Sequence, residues 1–403
     1  MKDKILSLCD RFEPRFIKMR RALHAIPEAS FKETKTQAKV ASFLRSAGIE
    51  HRRIPGTTGI LATIRGQDRR TVAIRSDMDA LNITERTGLP FASRHPGFMH
   101  ACGHDAHMAV VLGAALVLKQ LGKNLPGNVR LIFQPAEETS PGGALTMIDK
   151  GALRDPTVDA VLGLHVDPVI RVGKVAVNPG VISAAADEFR VTITGKGGHG
   201  SSPHKSVDAV MVAADFVTSL QTVVSRRVSP MDNVVVSIGR ICGGARSNII
   251  AEKVDMEGTV RTKTAEMRRR VPAMIAKILR TTCSAYGAKG EFRFIKGYPP
   301  VFCHPGLSAL VREATSDILG RSMTTTSPGL EMGGEDFAYY AEKVPGVMVF
   351  LGVGNRAKGK THYLHHSRFD VDEAALRVGA ATLAYSAYRY LKEGGVETYD
   401  TGR

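Results

Sequence analysis

The chain has 403 residues, of which 43% are hydrophobic and 23% charged, a globular composition that excludes a disordered or fibrous protein. The net charge of +16 allows nucleic-acid, membrane-surface or anionic-substrate contact, but the basic residues are spread along the chain, and the densest run, Arg268–Arg270, falls in a helical pattern. The length favours two or three domains. The five cysteines form no CxxC pair, which argues against a disulfide framework.

The longest apolar run, residues 108–118, is shorter than the roughly 20 residues that span a bilayer, so we interpret it as a buried helix. The first 15 residues are charged and mixed, without the apolar stretch of a signal peptide. We therefore expect a soluble, cytoplasmic protein with neither a membrane nor a nucleic acid as partner.

Helix and strand patterns alternate through the first half of the chain. Apolar residues recur at helical spacing in some segments and stand in short β-branched runs in others. The pattern predicts helices at 4–22, 35–47 and 104–121, and strands at 59–64, 71–74, 128–133 and 158–166. Such alternation predicts helices packed on a mostly parallel sheet.

The pattern changes near residue 187. It predicts strands at 188–195, 233–239, 254–261 and 291–295, and helices at 206–225 and 265–286. This β-α-β-β-α-β order is the ferredoxin-like split motif. The alternation then resumes with a helix at 305–319, a strand at 347–353 and a helix at 372–392. We predict an α/β fold: a mostly parallel-sheet domain at 1–186 and 299–403, with an inserted ferredoxin-like α+β domain at 187–298.

The stretch MHACGHDAH, residues 99–107, concentrates histidine, cysteine and aspartate. Cys102 and His104 precede a predicted helix, and their i, i+2 spacing in extended backbone would place both side chains on one face. A thiolate and an imidazole are good ligands for zinc and similar metals. A buried cysteine beside a polar helix cap would give the same pattern. His107, one helical turn further, is interpreted as packing or as support for a ligand.

Other polar residues stand where predicted strands end. They are Asp77, Asp79, Glu137, Glu138, His165 and, further past a strand, His365 and His366. Ligands of open α/β sheets bind at the carboxyl ends of strands. Each residue alone has an ordinary explanation, such as an acidic helix start or a satisfied core histidine. Adjacent carboxylates repel unless a cation lies beside them, and two metal ions would supply that charge, with one glutamate as ligand and its neighbour as proton acceptor.

A family resemblance rests on seven motifs, which occur in the order RSDMDALNI, GFMHACGHDAH, LIFQPAEE, GLHV, GKGGHGSSPH, GGEDFAYY and LHHSRFD. From about Arg21 to about Leu376 the chain resembles the amidohydrolase branch of the dinuclear metallopeptidase family. That branch includes hippurate hydrolase, N-acetyldiaminopimelate deacetylase and plant indole-acetyl-amino-acid hydrolases. The resemblance implies the fold predicted above, with the sheet domain catalytic and the inserted domain acting as a lid and dimerisation domain.

The resemblance also implies roles for individual residues. The positions that match metal ligands are Cys102, His104, Glu138, His165 and His365. Glu137 matches the general base, and Asp77 matches a carboxylate that orients a metal-ligating histidine. His199 matches a histidine that reaches into the partner's active site across a dimer. Asn248 matches a lid residue that contacts substrate. Apart from the resemblance, a substrate carboxylate would need a cation or an amide as partner, and our candidates for it in the lid are Arg246, Asn248 and Arg261.

Three positions depart from the family pattern. Asn82 stands where relatives usually have proline, which implies a local backbone change. LHHS replaces LHSP or LHNP, so His365 and His366 compete for one ligand position, and His365 is preferred because it follows the leucine. Asp167 follows GLHV where an aromatic residue is common, which predicts a different pocket at that point.

The leading hypothesis is hydrolysis of N-acyl amino acids or similar amides, with two divalent metal ions per subunit and Glu137 as general base. Zinc or manganese is expected, with cobalt or nickel as alternatives. A homodimer through the lid is expected, and a tetramer stays open. The second hypothesis is a carboxypeptidase or dipeptidase that uses the same metals. The third is a non-catalytic basic binding protein with a degenerate metal site, against which the 6% aromatic content argues.

Overall fold

The computed structural model describes residues 1–326 and 332–396. Its α-helices are α1 Lys2–His24, α2 Thr34–Ser46, α3 His104–Leu121, α4 Ala144–Asp149, α5 Ala209–Leu220, α6 Ala265–Tyr286, α7 Pro305–Leu319, α8 Ala338–Ala341 and α9 Ala374–Glu393. Its strands are β1 Glu50–Arg53, β2 Ile60–Ile64, β3 Thr71–Asp77, β4 Asn128–Gln134, β5 Ala160–Arg171, β6 Val175–Val177, β7 Gly180–Val181, β8 Ala185–Thr194, β9 Gly198–His199, β10 Val234–Gly243, β11 Ile249–Ile250, β12 Lys253–Thr262, β13 Lys289–Tyr298, β14 Phe302–Cys303, β15 Thr324–Thr325 and β16 Gly346–Gly354.

These elements form two compact units. The first contains residues 1–182 together with the described residues of 302–326 and 336–396. The second contains residues 183–301 and the short stretch 332–335. The catalytic and lid roles assigned from the sequence to 1–186 with 299–403 and to 187–298 stay predictions.

The first unit is built on an eight-stranded sheet in the order β1-β2-β4-β3-β5-β16-β6-β15. Its centre is parallel, because β3 pairs in parallel with β4 and β5, and β5 with β16. At one side of the sheet, the edge strand β1 pairs antiparallel with β2, and β2 pairs antiparallel with β4. Strands β2, β3 and β4 are buried along their whole length, as apolar runs in a covered sheet are. The predicted α/β class with a mostly parallel sheet is confirmed.

The buried helix predicted at 104–121 is α3, with the predicted limits. Glycines allow close packing on both sides of it: a Cβ at Gly113 would lie 2.9 Å from the Phe16 ring of α1, and one at Gly379 of α9 would lie 3.0 Å from Val110. By its length and composition alone, α3 could span a membrane. However, 83% of the 18-residue apolar window that passes this test is buried inside the protein. It is the central core helix of the first unit.

The second unit has the predicted β-α-β-β-α-β order, from β8 through α5, β10, β12 and α6 to β13. Its strands form an antiparallel sheet in the order β10-β12-β8-β13, whose apolar core packs on α5 and α6. The helix predicted at 206–225 is shorter. It begins after Asp208, whose carboxylate accepts the N–H groups of Val210 and Met211, and Val223–Arg227 forms a separate π-helical turn.

Candidate metal centre

Five of the predicted site residues converge beside β4 and β5: Glu138 follows the end of β4, whereas His165, expected at a strand end, lies within β5, which continues to Arg171. We call Cys102, His104, Glu138, His165 and His365 the donor cluster. Cys102 Sγ lies 3.5 Å from His165 Nε2. Glu138 Oε1 lies 3.8 Å from His104 Nε2 and 3.6 Å from His365 Nε2. The donor atoms fall into overlapping groups whose members lie within 4.8 Å of one another, and Glu137 belongs to one of these groups. The chain thus brings together side chains from four separate segments.

The turn between Cys102 and His104 depends on Gly103. Its φ of 87° and ψ of 17° are left-handed, so the extended backbone predicted here is wrong. A side chain at this position would also strike Val166, because a Cβ would lie 2.4 Å from its Cγ2. Glycine adopts this conformation without strain. The tight turn directs both donors into one cluster and begins α3 at His104.

Glu137 and Glu138 lie on a turn after β4 that Asp79 fixes in place. The Asp79 carboxylate accepts the N–H of Glu137 at 3.0 Å and that of Glu138 at 3.1 Å. The Asp79 backbone carbonyl accepts Nδ1–H of His104 at 2.9 Å, which leaves Nε2 of that ring directed to the donor cluster. Sequence reasoning missed this role. The available signal was the second aspartate of SDMD at a strand end.

Asp77 contacts a histidine outside the donor cluster. Its Oδ1 accepts Nδ1–H of His107 at 2.8 Å and lies 3.8 Å from Nδ1 of His104. His107 Nε2 accepts the N–H of Val166 at 2.9 Å, so both ring nitrogens are used within the protein. Burial lowers the pKa of His107 to about 4. His107 therefore supports the cluster from within the protein. The orientation of a metal-ligating histidine by Asp77 stays a prediction.

The fold distinguishes His365 from His366. His365 has a left-handed φ of 63°, and its N–H donates to the carbonyl of Ala101 at 2.8 Å. This hydrogen bond places His365 beside the segment that contains Cys102. His366 instead stacks on His362 with ring centroids 4.3 Å apart. Of the two, His365 is the residue that the structure brings to the donor cluster, and its role as the ligand stays a prediction.

The electrostatics of the donor cluster favour a bound cation. Burial and the nearby Glu138 and Glu137 carboxylates raise the pKa of the Cys102 thiol well above 9.0. Burial raises the pKa of Glu138 to about 7. Among the described residues, His104 Nε2 and Glu138 Oε1 are buried without a hydrogen-bond partner. Such atoms are costly to leave unpaired. A divalent cation beside them would satisfy both and would favour the thiolate and the carboxylate.

The other predicted residues lie in the second unit and are His199, Arg246, Asn248 and Arg261. Strand β9, which contains His199, pairs with β11, and the N–H of Gly200 donates to the carbonyl of Asn248 at 2.8 Å. The exposed His199 ring accepts the N–H of Ser201 at Nδ1, and its Nε2–H has no acceptor among the residues that the structure describes, so it can donate. Arg261 is half-buried on β12, and burial lowers its pKa. Their functional roles stay predictions.

A buried ion network joins the two segments that contain His104 and His365. The Arg20 side chain, 1% exposed, donates to Asp105 at 2.8 Å and to Asp370 at 2.6 Å. Asp105 directly follows His104, and Asp370 lies shortly after His365. The Arg20 guanidinium group therefore links two segments that are remote in sequence. Each of these segments contributes residues to the donor cluster.

We expect His24, in the same network, to make stability fall as pH rises. Burial opposes protonation, but Asp105 and Glu85, at 2.8 and 3.2 Å, raise the pKa of His24 from 6.5 to about 9. The contribution is complete below about pH 6.5 and is lost as pH rises through about 9. Urea unfolding of the wild type and of His24→Gln should show a difference in unfolding free energy that shrinks by a few kcal/mol across this window. A pH-independent difference would contradict the assignment.

Comparison with known proteins identifies the family. The model of the family described as peptidase family M20/M25/M40 matches residues 73–389 of this chain. N-acetyl-L-cysteine deacetylase of Bacillus subtilis is 40% identical over 94% of this chain and 89% of its own. Thermostable carboxypeptidase 1 of Saccharolobus solfataricus is 36% identical over 96% and 98%. The crystal structure of a Bacillus subtilis protein, described as a dinuclear metal binding peptidase from the M20 family, gives a TM-score of 0.83 at 37% identity, over 95% of this chain and 99% of its own. These matches confirm the resemblance seen in the motifs, and the chain belongs to peptidase family M20/M25/M40.

Proposed function

We propose that the protein is a metal-dependent amidohydrolase that cleaves N-acyl amino acids to a carboxylate and a free amino acid. The main observation in support is the donor cluster itself: one thiol, one carboxylate and three imidazoles converge beside a further glutamate, Glu137. Family membership supports the same class of reaction, because a relative 40% identical to this chain is named N-acetyl-L-cysteine deacetylase.

The donor cluster fits two divalent cations. Nε2 of His104 and Oε1 of Glu138, which are buried and have no hydrogen-bond partner in the part of the chain that the structure describes, are both available to coordinate a cation. Cys102 supplies a sulfur ligand, which favours zinc, whereas the carboxylate and imidazoles also suit manganese, cobalt or nickel. We propose zinc or manganese as the physiological metal, with Cys102, His104, Glu138, His165 and His365 as the ligands.

Two divalent ions, when bound, would lower the pKa of a water molecule and polarise the substrate carbonyl. Glu137 accepts the proton of the attacking water and returns it to the leaving nitrogen as the amide bond breaks. Its backbone N–H is fixed by Asp79, so its carboxylate stays beside the cluster. This division of labour assigns Glu138 to the metal and Glu137 to the proton, although the two side chains are adjacent in sequence.

The test is release of free amino acid from N-acetyl, N-benzoyl and indole-acetyl amino acids and from dipeptides. The protein is first stripped of metal with a chelator, and then zinc, manganese, cobalt or nickel is added back. We expect no activity in the stripped protein and recovery with at least one metal, because the proton transfer needs an activated water. Bound metal is counted by mass spectrometry, with two ions expected per chain.

The panel also separates the rival functions. Faster cleavage of dipeptides than of N-acyl amino acids would favour a carboxypeptidase or dipeptidase, the second candidate, which the 36% identical thermostable carboxypeptidase supports. Absence of both bound metal and hydrolysis, together with salt-sensitive retention on DNA, would favour the basic binding protein. Bound metal without hydrolysis of any substrate would contradict the proposed substrate class.

We further propose that the second unit is a lid through which two copies of the chain associate. Strand β10 lies at the edge of its sheet, so its outer backbone groups have no strand partner among the described residues. Two apolar side chains on it, Val235 and Ile241, are 38% and 55% exposed. An exposed apolar edge strand is a template for pairing with another chain. In this arrangement His199 serves the partner's active site, and Arg246, Asn248 and Arg261 contact the substrate, its carboxylate in particular.

Complementation tests the shared site. We expect Glu137→Gln and His199→Ala each to be nearly inactive alone. After denaturation together and refolding, mixed dimers contain one site with both residues intact, so roughly a quarter of the wild-type rate should return. Refolding each variant alone is the control. Failure to recover activity from a mixture shown to contain mixed dimers would place His199 in the site of its own chain or outside it.

A further inference from the structure

Glu33 is a fully buried residue whose carboxylate contacts the turn that leads into Glu137 and Glu138. It is 0% exposed. Its Oε1 accepts the N–H of Ala136 at 2.9 Å, the residue directly before Glu137. The same oxygen accepts the N–H of Phe31 at 2.9 Å, and Oε2 accepts the hydroxyl of Thr58. None of the roles assigned above uses this residue.

Both residues that donate an N–H to Glu33 Oε1 have a strained backbone. Phe31 has a φ of 64° and Ala136 a φ of 56°, in the left-handed region that side chains other than glycine rarely adopt. Strain of this kind persists only where surrounding contacts enforce it, and it is concentrated at functional sites. At Ala136 the enforcing contacts include Glu33 on the N–H and Gly143, whose N–H donates to the Ala136 carbonyl at 3.0 Å.

We propose that Glu33 is a positioning residue that keeps Ala136 in its left-handed conformation and thereby sets the direction of Glu137 and Glu138. Three consecutive N–H groups then have carboxylate acceptors: Ala136 donates to Glu33, and the next two residues donate to Asp79. The left-handed residue lies where the chain bends between β4 and the glutamates. Without the Glu33 carboxylate as acceptor for its N–H, Ala136 relaxes from the left-handed conformation. The side chains of Glu137 and Glu138 then move together.

The inference rests on the proposed function for its kinetic readout, and hydrogen exchange gives a second readout that does not. In Glu33→Ala we expect kcat to fall roughly ten- to a hundredfold, as displacement of a catalytic group by about an ångström does, with KM changed less than about threefold. We also expect faster amide exchange at residues 136–138. Glu33→Gln should stay near wild type, since its amide oxygen can accept the same two N–H groups.

The discriminating variant is Ala136→Gly in the Glu33→Ala background. Glycine adopts a positive φ without penalty, so the turn no longer needs the carboxylate, and most of the lost kcat should return. Thr58→Val is the matched control, because it removes the hydrogen bond to Oε2 and leaves both bonds to Oε1 in place. This control should lower stability with kcat essentially unchanged.

The outcomes are separable. An unchanged kcat and unchanged exchange in folded Glu33→Ala would overturn the proposal, as would a loss of kcat that Ala136→Gly fails to recover. If Glu33→Ala does not fold, the double variant decides: folded and active supports the proposal, folded and inactive overturns it. If the wild type hydrolyses no substrate, the proposed function fails, and the exchange rates of residues 136–138 still test whether Glu33 fixes the turn.

Discussion

Replacement of Glu137 by glutamine is expected to lower kcat by roughly two to four orders of magnitude, the usual effect of removing a general base. Glutamine keeps the size of the side chain but cannot accept the proton of the attacking water. Because Glu138 and the other donor residues are untouched, the number of bound metal ions and KM should stay close to those of the wild type. Steady-state kinetics on the best N-acyl amino acid, with metal counted on the same sample, provide the measurement.

An exposed glutamate of the same unit provides the control. Glu313 is 71% exposed on α7, and Glu313→Gln removes the same charge from the chain without touching the donor cluster. Its kinetics should match those of the wild type. Retained activity in Glu137→Gln would refute the assignment of Glu137 as the proton acceptor. A loss of metal together with activity would instead identify Glu137 as a ligand.

Segments with a strong local pattern could be predicted from the sequence almost to the residue. The core helix α3 and the two long helices α6 and α7 have the predicted limits, because apolar periodicity and clear end signals agree in each. Segments with a weak local pattern could be predicted less well. The short strands β6, β7 and β15 have only two or three residues each, and they are strands because of neighbouring chain that is remote in sequence.

The same distinction explains the candidate site. Donor residues could be picked out because their types are unusual at strand ends and because the motifs resemble those of a family. Their supporting residues could not: Glu33 meets Ala136 across 103 positions of the sequence, and Arg20 meets Asp370 across 350. Asp79 was visible beside Asp77, but only the fold shows that its carboxylate accepts both glutamate N–H groups. Residue type and spacing identify candidate donor side chains, but they do not show which residues remote in sequence those side chains contact.

Replacement of Arg20 by methionine should destabilise the first unit by about 3–5 kcal/mol, the usual cost of removing one partner of a buried ion pair. The side chain is 1% exposed and contacts Asp105 at 2.8 Å, Asp370 at 2.6 Å and Glu373 at 3.3 Å. Methionine fills much of the volume but leaves these carboxylates without their shared cation. The chain has no tryptophan, so urea unfolding of the metal-free protein is followed by circular dichroism.

Arg21, the next residue on α1, provides a matched control because it pairs with Glu373 at 2.6 Å while 49% exposed. Exposed ion pairs contribute about 0.2–1 kcal/mol, so Arg21→Met should change the unfolding free energy far less than Arg20→Met. The Arg20 variant should also bind metal more weakly, since Asp105 follows His104 and Asp370 lies after His365. Equal destabilisation by the two substitutions would mean that charge at this end of α1, and not the buried network, stabilises the unit. Lost stability with unchanged metal affinity would show that the network maintains the fold without setting the geometry of the donor cluster.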